Sequence, residues 1–319
     1  MRDRRVDALL LAVAVVWGSS YLAAKVLVDV AGALPVLALR YAVAALALGA
    51  VVVATRARLG RDELRWGLVL GLSQAAVLLL ETFGLAGTTA TNAGLLISTT
   101  ILLTPAVEGL VTRSWLPPSF FAAALVAVVG VGLLVGGGGW RVPGGGDLLV
   151  LAAALVRAAH VTAIGRVTRR TPLDLRGLTL VQLAVGAAVA LVLAPAASLD
   201  LVRSATPAQW AQIAYLALGC SVFAFLAQSW AVRRTSAARA SLLLGTEPLW
   251  AVVCGLALAG DALGVAGVAG AVLLLGATFA GQRIETRAGA AVPAPRADPG
   301  VPPAHLVRAR TGWQDRPRE

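Results

Sequence analysis

The sequence predicts an all-α integral membrane protein with ten transmembrane helices, arranged as a five-plus-five inverted repeat. Three observations lead there. Charge is scarce: 13% of the 319 residues are charged and 58% are hydrophobic, with a mean hydropathy of +0.82. A water-solvated domain carries roughly 25% charge, so a bilayer has to take the place of water around most of this chain. Apolar residues also gather in runs of the ~20 residues that a helix needs to cross the hydrocarbon core. Finally, "STTILLTPAVEGL" and "LLLGTEPLWAVVCGL" each put a proline, Pro105 or Pro248, into the middle of such a run, and a glycine-rich run follows each of them.

The runs lie at 7–28, 33–54, 66–87, 91–112, 117–136, 147–166, 174–194, 208–231, 237–258 and 262–282. Helices are the element that suits them, because an open strand leaves its backbone groups unsatisfied in lipid. The opening "MRDRRVDALLLAVAVV" resembles a secretory leader, with a basic start and an apolar middle. Its apolar run continues past leader length without a small-residue cleavage site, so it reads as a retained first helix. The first five runs form one unit, 7–136, and the last five a second, 147–282. Five helices is an odd number, so the second unit must be inverted relative to the first. Residues 283–319, rich in Pro, Ala and Arg, read as a disordered cytoplasmic tail.

Basic residues set the orientation. One set of connections holds arginine clusters such as Arg2, Arg4 and Arg5, Arg56 to Arg65, Arg166 to Arg176, and Arg233 and Arg234; the opposite set holds only Arg141 and Arg203. Both termini are therefore expected in the cytoplasm, with the chain in the cytoplasmic (inner) membrane. A formal charge of +11 in a soluble chain would suggest nucleic acid, but these arginines sit in short clusters between apolar runs, without interleaved aromatics. Cys220 and Cys254 lie inside apolar runs, where a thiol behaves as a small hydrophobe. No metal-ligand spacing, disulfide framework or phosphate-cradling Gly-Lys-Ser/Thr loop is present, and His160 and His305 are the only histidines. No cofactor, no catalytic group and no nucleic-acid partner is expected.

An ionisable group at bilayer depth is costly and is a functional hypothesis by default. Trp17, Tyr21 and Lys25 recur every four residues on one face of the first helix. Lys25 either completes a polar stripe along a cavity or snorkels to the outer headgroups beside Asp29. Gln74, Glu81 and Thr88 align on the third helix; Glu81 is either a protonatable cavity site or a structural partner of Arg40 or Lys25. Glu247 immediately precedes Pro248, which removes a backbone donor near mid-membrane, and its counterpart in the first half is Thr104 before Pro105. Glu247 thus reads as a substrate or proton site, or as the partner of Arg157, with His160 one turn away. Trp250 is placed either to stack on a substrate or to pack. Pro105 and Pro248 are expected hinges, Glu108 an interface partner of Arg113, Asp147 and Asp261 helix caps, and Trp230 and Arg239 interfacial anchors. Gly264, Gly267 and Gly270 allow close helix approach, within the bundle or across a homodimer.

"WGSSYLAAK", "LPVLALRYAVAALALG", "TTATNAGLLISTTILLTP" and "RRTSAARASLLLGTEPLWAVVCGLALAGDALG" resemble, in order and spacing, the EamA-like proteins of the drug/metabolite transporter superfamily. The resemblance covers about 7–282. It implies ten helices as an inverted repeat that moves small organic molecules across the cytoplasmic membrane, most often outward. Three positions depart from the family pattern: "VTRSWLPPS" lacks the acid expected after the fourth helix, Asp261 replaces a glutamate after the ninth, and Arg157 stands where a tryptophan is typical of the sixth. The expected function is a secondary exporter of small metabolites or drugs that works by alternating access. Import on the same fold, or a membrane enzyme acting on lipid-linked substrates, are the alternatives.

Overall fold

A computed structural model describes residues 4–87, 96–135, 144–254, 257 and 264–291. Among these residues every regular element is helical. The first half contains α1 (Arg4–Ala31), α2 (Ala33–Ala54), α3 (Arg61–Ala86), α4 (Thr100–Thr112) and α5 (Pro118–Val135). The second contains α6 (Gly145–Arg170), α7 (Leu175–Leu193), α8 (Pro195–Ser204), α9 (Pro207–Ala217), α10 (Ala224–Arg234), α11 (Ala237–Leu244), α12 (Glu247–Cys254) and α13 (Val265–Ala291), with a π-helical segment, Leu218–Phe223, joining α9 to α10. Six spans are long and apolar enough to cross a bilayer: Ala33–Ala54, Arg61–Gly84, Gly145–Arg170, Leu175–Leu193, Pro207–Arg234 and Val265–Ala288. Leu96–Thr112 and Pro118–Leu134 are shorter apolar helices.

The elements differ from the sequence reading in four places. The eighth run is widened into a π turn at Leu218–Phe223. The ninth breaks at Gly245 and Thr246, so that α11 and α12 are separate short helices. The α8 helix falls between two predicted runs: Pro195 at its start has no N–H to leave unpaired, and α8 packs against α2. The last helix also continues to Ala291, past Gln282, where the apolar run ends. The rest of the expected tail, the cap at Asp261, Arg141 and Thr88 lie outside the described residues.

Large apolar side chains such as Leu46, Val53, Val192 and Val265 point outward, while Gln182, Gln228, Ser229, Thr162 and Arg239 are buried. A water-soluble fold puts its polar groups the other way round. Packing runs between the two halves. The α2 helix lies along α7, α3 along α6 and α7, α1 along α10 and α12, α4 along α6 and α11, and α5 along α13. The α5–α13 contact is glycine-mediated. A Cβ built on Gly270 would stand 2.5 Å from the Gly130 carbonyl oxygen, and one on Gly130 would stand 2.7 Å from the Leu274 nitrogen. These two glycines therefore serve packing within the bundle, whereas Gly264 meets no other described residue within 4 Å.

Candidate functional site

Arg40, Glu81 and Arg157 lie where the halves meet. The π-helical segment supplies the acceptors for Arg40. Its turns are one residue wider than an α-turn: the Ala224 N–H reaches back to the Gly219 carbonyl, and the Ser221 hydroxyl donates to the Leu216 carbonyl 3.1 Å away. Small residues, Gly219, Cys220 and Ser221, occupy the widened turn. The Cys220 carbonyl accepts the Trp17 indole N–H at 2.9 Å and an Arg40 Nη2–H at 3.1 Å. Arg40 also donates from Nε to the Ser221 hydroxyl at 2.8 Å. Such single π turns recur at functional sites because they re-aim backbone groups.

Around this segment the aromatic rings form a row. Tyr41 lies 6.3 Å from Phe225, and Phe225 meets Trp17 edge-on at 6.3 Å. A guanidinium stands at each end, Arg40 at 5.7 Å from the Tyr41 ring and Arg157 at 5.4 Å from the Trp17 ring. Arg157 also faces Glu81 at 4.0 Å, and both side chains keep about a quarter of their surface exposed. That separation exceeds hydrogen-bond length, so this is a loose ion pair. Beside it, the Ser73 hydroxyl lies 2.8 Å from the Leu70 carbonyl and shares a 2.7 Å hydrogen bond with Nδ1 of the buried His160.

A second set of polar contacts closes the arginine-rich end. Glu108 at the end of α4 accepts the N–H groups of Ala237 and Ala238 at 3.0 and 2.8 Å, capping α11 of the other half. Carboxylates favour helix N-termini because the unpaired N–H groups and the dipole are both satisfied there. Arg169 lies 3.9 Å from Glu108 and donates to the Val232 and Thr235 carbonyls at 2.9 Å. Arg239 is buried and pairs with Asp7 at 2.6 Å and Glu285 at 3.3 Å. Glu63 joins the α2–α3 loop to the loop before α7, accepting Gly60 N–H at 2.9 Å and Asp174 N–H at 3.1 Å. Asp174 in turn accepts from the Arg58 backbone at 3.1 Å and from the Arg176 guanidinium at 2.8 Å. The Arg176 hydrogen bond is the main cause that holds the Asp174 carboxyl below its ordinary range.

Several expected partners are therefore exchanged. Among the described residues Glu81 pairs with Arg157, and Arg40 turns instead to the π segment. Glu108 caps α11 where a pair with Arg113 was expected, because the α11 N-terminus lies against the end of α4. Arg239 is an internal ion-pair centre and no interfacial anchor, while Trp230 does carry the Arg234 guanidinium over its ring at 3.9 Å. Asp147 caps α6 by accepting the Gly144 N–H at 2.7 Å. Thr104 and Pro105 are buried within α4, which stays helical through Pro105; a turn residue precedes α4 at Thr99. Pro248 follows the break at Gly245 and Thr246, Glu247 begins α12, and Trp250 donates back to the Thr246 hydroxyl at 3.3 Å. The side chains of Tyr21, Lys25 and Asp29 lie outside the described residues. Tyr41, Phe225 and the Cys220 carbonyl escape sequence reasoning. Two are ordinary aromatics in apolar runs, and the third is a backbone group exposed by a widened turn.

Known proteins share this fold. A crystal structure described only as "Crystal structure of protein" superposes with a TM-score of 0.73 over 90% of this chain and 99% of that one, at 18% identity, which shows a common fold. An "Uncharacterized transporter" of Archaeoglobus fulgidus is 29% identical over 157 residues, 49% of this chain and 48% of that protein. The match thus spans about half of the relative's length. The EamA-like transporter family profile matches twice in tandem, over residues 4–136 and 144–280. With most of its length matched in two copies, the chain belongs to the EamA-like transporter family and is a multi-pass membrane protein.

Proposed function

We propose that this protein is a secondary transporter of small organic metabolites or drugs across the cytoplasmic membrane. It exports by rocking two inverted five-helix halves about the Arg40–Glu81–Arg157 cluster. The observation that carries the reading is where these charges bond. Arg40 reaches from the first matched repeat to Ser221 and Cys220 of the second, and Glu81 of the first faces Arg157 of the second. Ionisable groups at bilayer depth mark substrate and ion paths, and these lie on the surface along which the halves would move.

Helix packing supports the inverted-repeat reading. Exchanging the halves maps α2–α7 and α5–α13 onto themselves, and pairs α1–α12 with α4–α6. Counting α1, α4 and α5 as spans beside those six, and α11 with α12 as one interrupted span, gives ten. The arginine excess at the end bearing Arg58, Arg169 and Arg234 supports a cytoplasmic position for that end and for both termini. The Glu108 and Arg239 contacts then form a closed cytoplasmic gate that has to separate for the site to open inward. Export is proposed on the family resemblance.

The test is flux into and out of proteoliposomes holding the purified protein, with amino acids, nucleobases, small organic acids and cationic drugs offered under an imposed pH gradient. Saturable flux above protein-free vesicles is expected for at least one class. Flux that rises linearly with concentration for every class, or equals that of empty vesicles, contradicts the reading.

A further inference from the structure

We infer that the seam cluster receives the carboxylate of a small organic acid with an apolar or aromatic body, and that Arg40 and Tyr41 are its ligands. This rests on the transporter reading and names the substrate class of the same site.

Arg40 is the first ground. Its guanidinium lies within a span, and its contacts are all neutral: the Ser221 hydroxyl at 2.8 Å, the Cys220 carbonyl at 3.1 Å and the Tyr41 ring at 5.7 Å. Among the described residues it forms no ion pair. These bonds use Nε–H and one Nη2–H, so three of the five N–H donors of a guanidinium are uncommitted. A cation held in a low-dielectric interior without a counter-ion is costly, and a bound anion relieves that cost.

Tyr41 is the second, independent ground. Its hydroxyl is buried, with the residue 2% exposed, and has no hydrogen-bond partner among the described residues. A buried hydroxyl without a partner lacks the acceptor for which it has been desolvated. Arg40, Glu81 and Arg157 all lie within electrostatic range of it. A carboxylate beside Arg40 would supply the missing acceptor with one oxygen and take guanidinium N–H groups with the other.

The remaining charges are a further cation, Arg157, and two carboxylates, Glu81 and Glu247, so the preference for an anion rests on the two guanidiniums. Arg157 adds a second cation, and its contact with Glu81 is loose at 4.0 Å, so an incoming carboxylate can take the place of Glu81 there. Glu247 is the other carboxylate in electrostatic range of the π segment, through Cys220. The row Tyr41–Phe225–Trp17 has ring spacings of 6.3 Å and carries a guanidinium beside each of its outer rings. It suits a compact apolar body, and a cationic ligand on it would face Arg40 at one end and Arg157 at the other.

Matched probes test this on the purified full-length chain in lipid nanodiscs: 3-phenylpropionate, its neutral amide, and 3-phenylpropylamine. Binding is read by tryptophan fluorescence and thermal shift. The carboxylate is expected to bind at least about tenfold more tightly than the amide, and the amine more weakly still, as charge-assisted hydrogen bonds to a guanidinium require. Arg40→Gln should remove that preference, bringing carboxylate and amide to about equal affinity. Tyr41→Phe deletes one oxygen and should weaken carboxylate binding about threefold or more without loss of fold; it carries the test if Arg40→Gln does not fold. Equal binding of all three probes, binding of none, a preference for the amine, or full carboxylate affinity in Tyr41→Phe overturns the inference. Flux of the same probes separates the two claims. Carboxylate binding without flux of any substrate removes the transport reading and leaves the anion site standing. Saturable flux of the amine without carboxylate binding does the reverse.

Discussion

Arg157 and Glu81 sit on helices from different halves, and each is the kind of residue a bilayer tolerates only for a reason. Glu247, at the start of α12 beside the break at Gly245 and Thr246, has the same standing. Replacing Glu247 with Gln keeps size and hydrogen-bonding capacity and removes one titratable charge. The expected outcome is loss of proteoliposome flux with an unchanged melting profile; wild-type rates in the variant would take Glu247 out of the mechanism. Asp174 makes a different prediction. Its carboxyl is held below the ordinary range by Arg176, and it caps α7 through the Arg176 N–H at 3.0 Å. A depressed carboxylate stabilises fully above its unfolded-state value, and the stabilisation is lost as pH falls through the lower folded-state value. Asp174→Ala should therefore cost about 1 kcal/mol at neutral pH, with the gap to wild type closing in strong acid, as read by thermal melts across pH. The ionisable residues were legible in the sequence because charge in an apolar run stands out. Their partners were not. Spacing fixes which residues share a face but leaves open how that face is turned toward its neighbours, so Glu81 found Arg157 in place of Arg40.

The helices followed from their apolar runs, since length and hydropathy are properties of the chain itself. The irregular elements did not, because the π segment at Leu218–Phe223 and the break before Pro248 depend on tertiary partners: Trp17 and Arg40 for the first, and Ile101 against Gly245 for the second. The α8 helix, Pro195–Ser204, is too short and too polar to register as a span. Glycine at the α5–α13 crossing makes a firm prediction. Gly270→Ala puts a methyl group 2.5 Å from the Gly130 carbonyl, into backbone that cannot rotate away. It should destabilise by about 1–3 kcal/mol, as overpacking does, whereas Gly264→Ala should be silent because no described residue lies within 4 Å. Denaturation in detergent compares the two. At the arginine-rich end, Glu108→Ala leaves the first N–H groups of α11 uncapped and should cost about 1 kcal/mol. Because those bonds join α4 to the opposite half, the same change should also raise labelling of a cysteine placed at Ala240 by a thiol reagent added from the cytoplasmic side. Unchanged labelling would show that this contact is no gate.

At the scale of the whole molecule, two copies of one family pattern in tandem, 4–136 and 144–280, build a bundle whose helices pack largely across the halves. That doubling was readable from Pro105 and Pro248 and the glycine-rich runs after them. What the sequence left open was how the copies meet, since that depends on which faces pack. The contacts divide into an arginine-rich end, joined by Glu108, Arg169 and Arg239, and a charged seam where Glu81 faces Arg157 at 4.0 Å. A site reached from one side at a time behaves differently from a pore. Exchange in proteoliposomes reads that difference most directly: labelled substrate uptake is measured with and without unlabelled substrate preloaded inside. Alternating access predicts saturable uptake that preloading accelerates, because the loaded site returns more readily than the empty one. Uptake that does not saturate and is unaffected by preloading would contradict it.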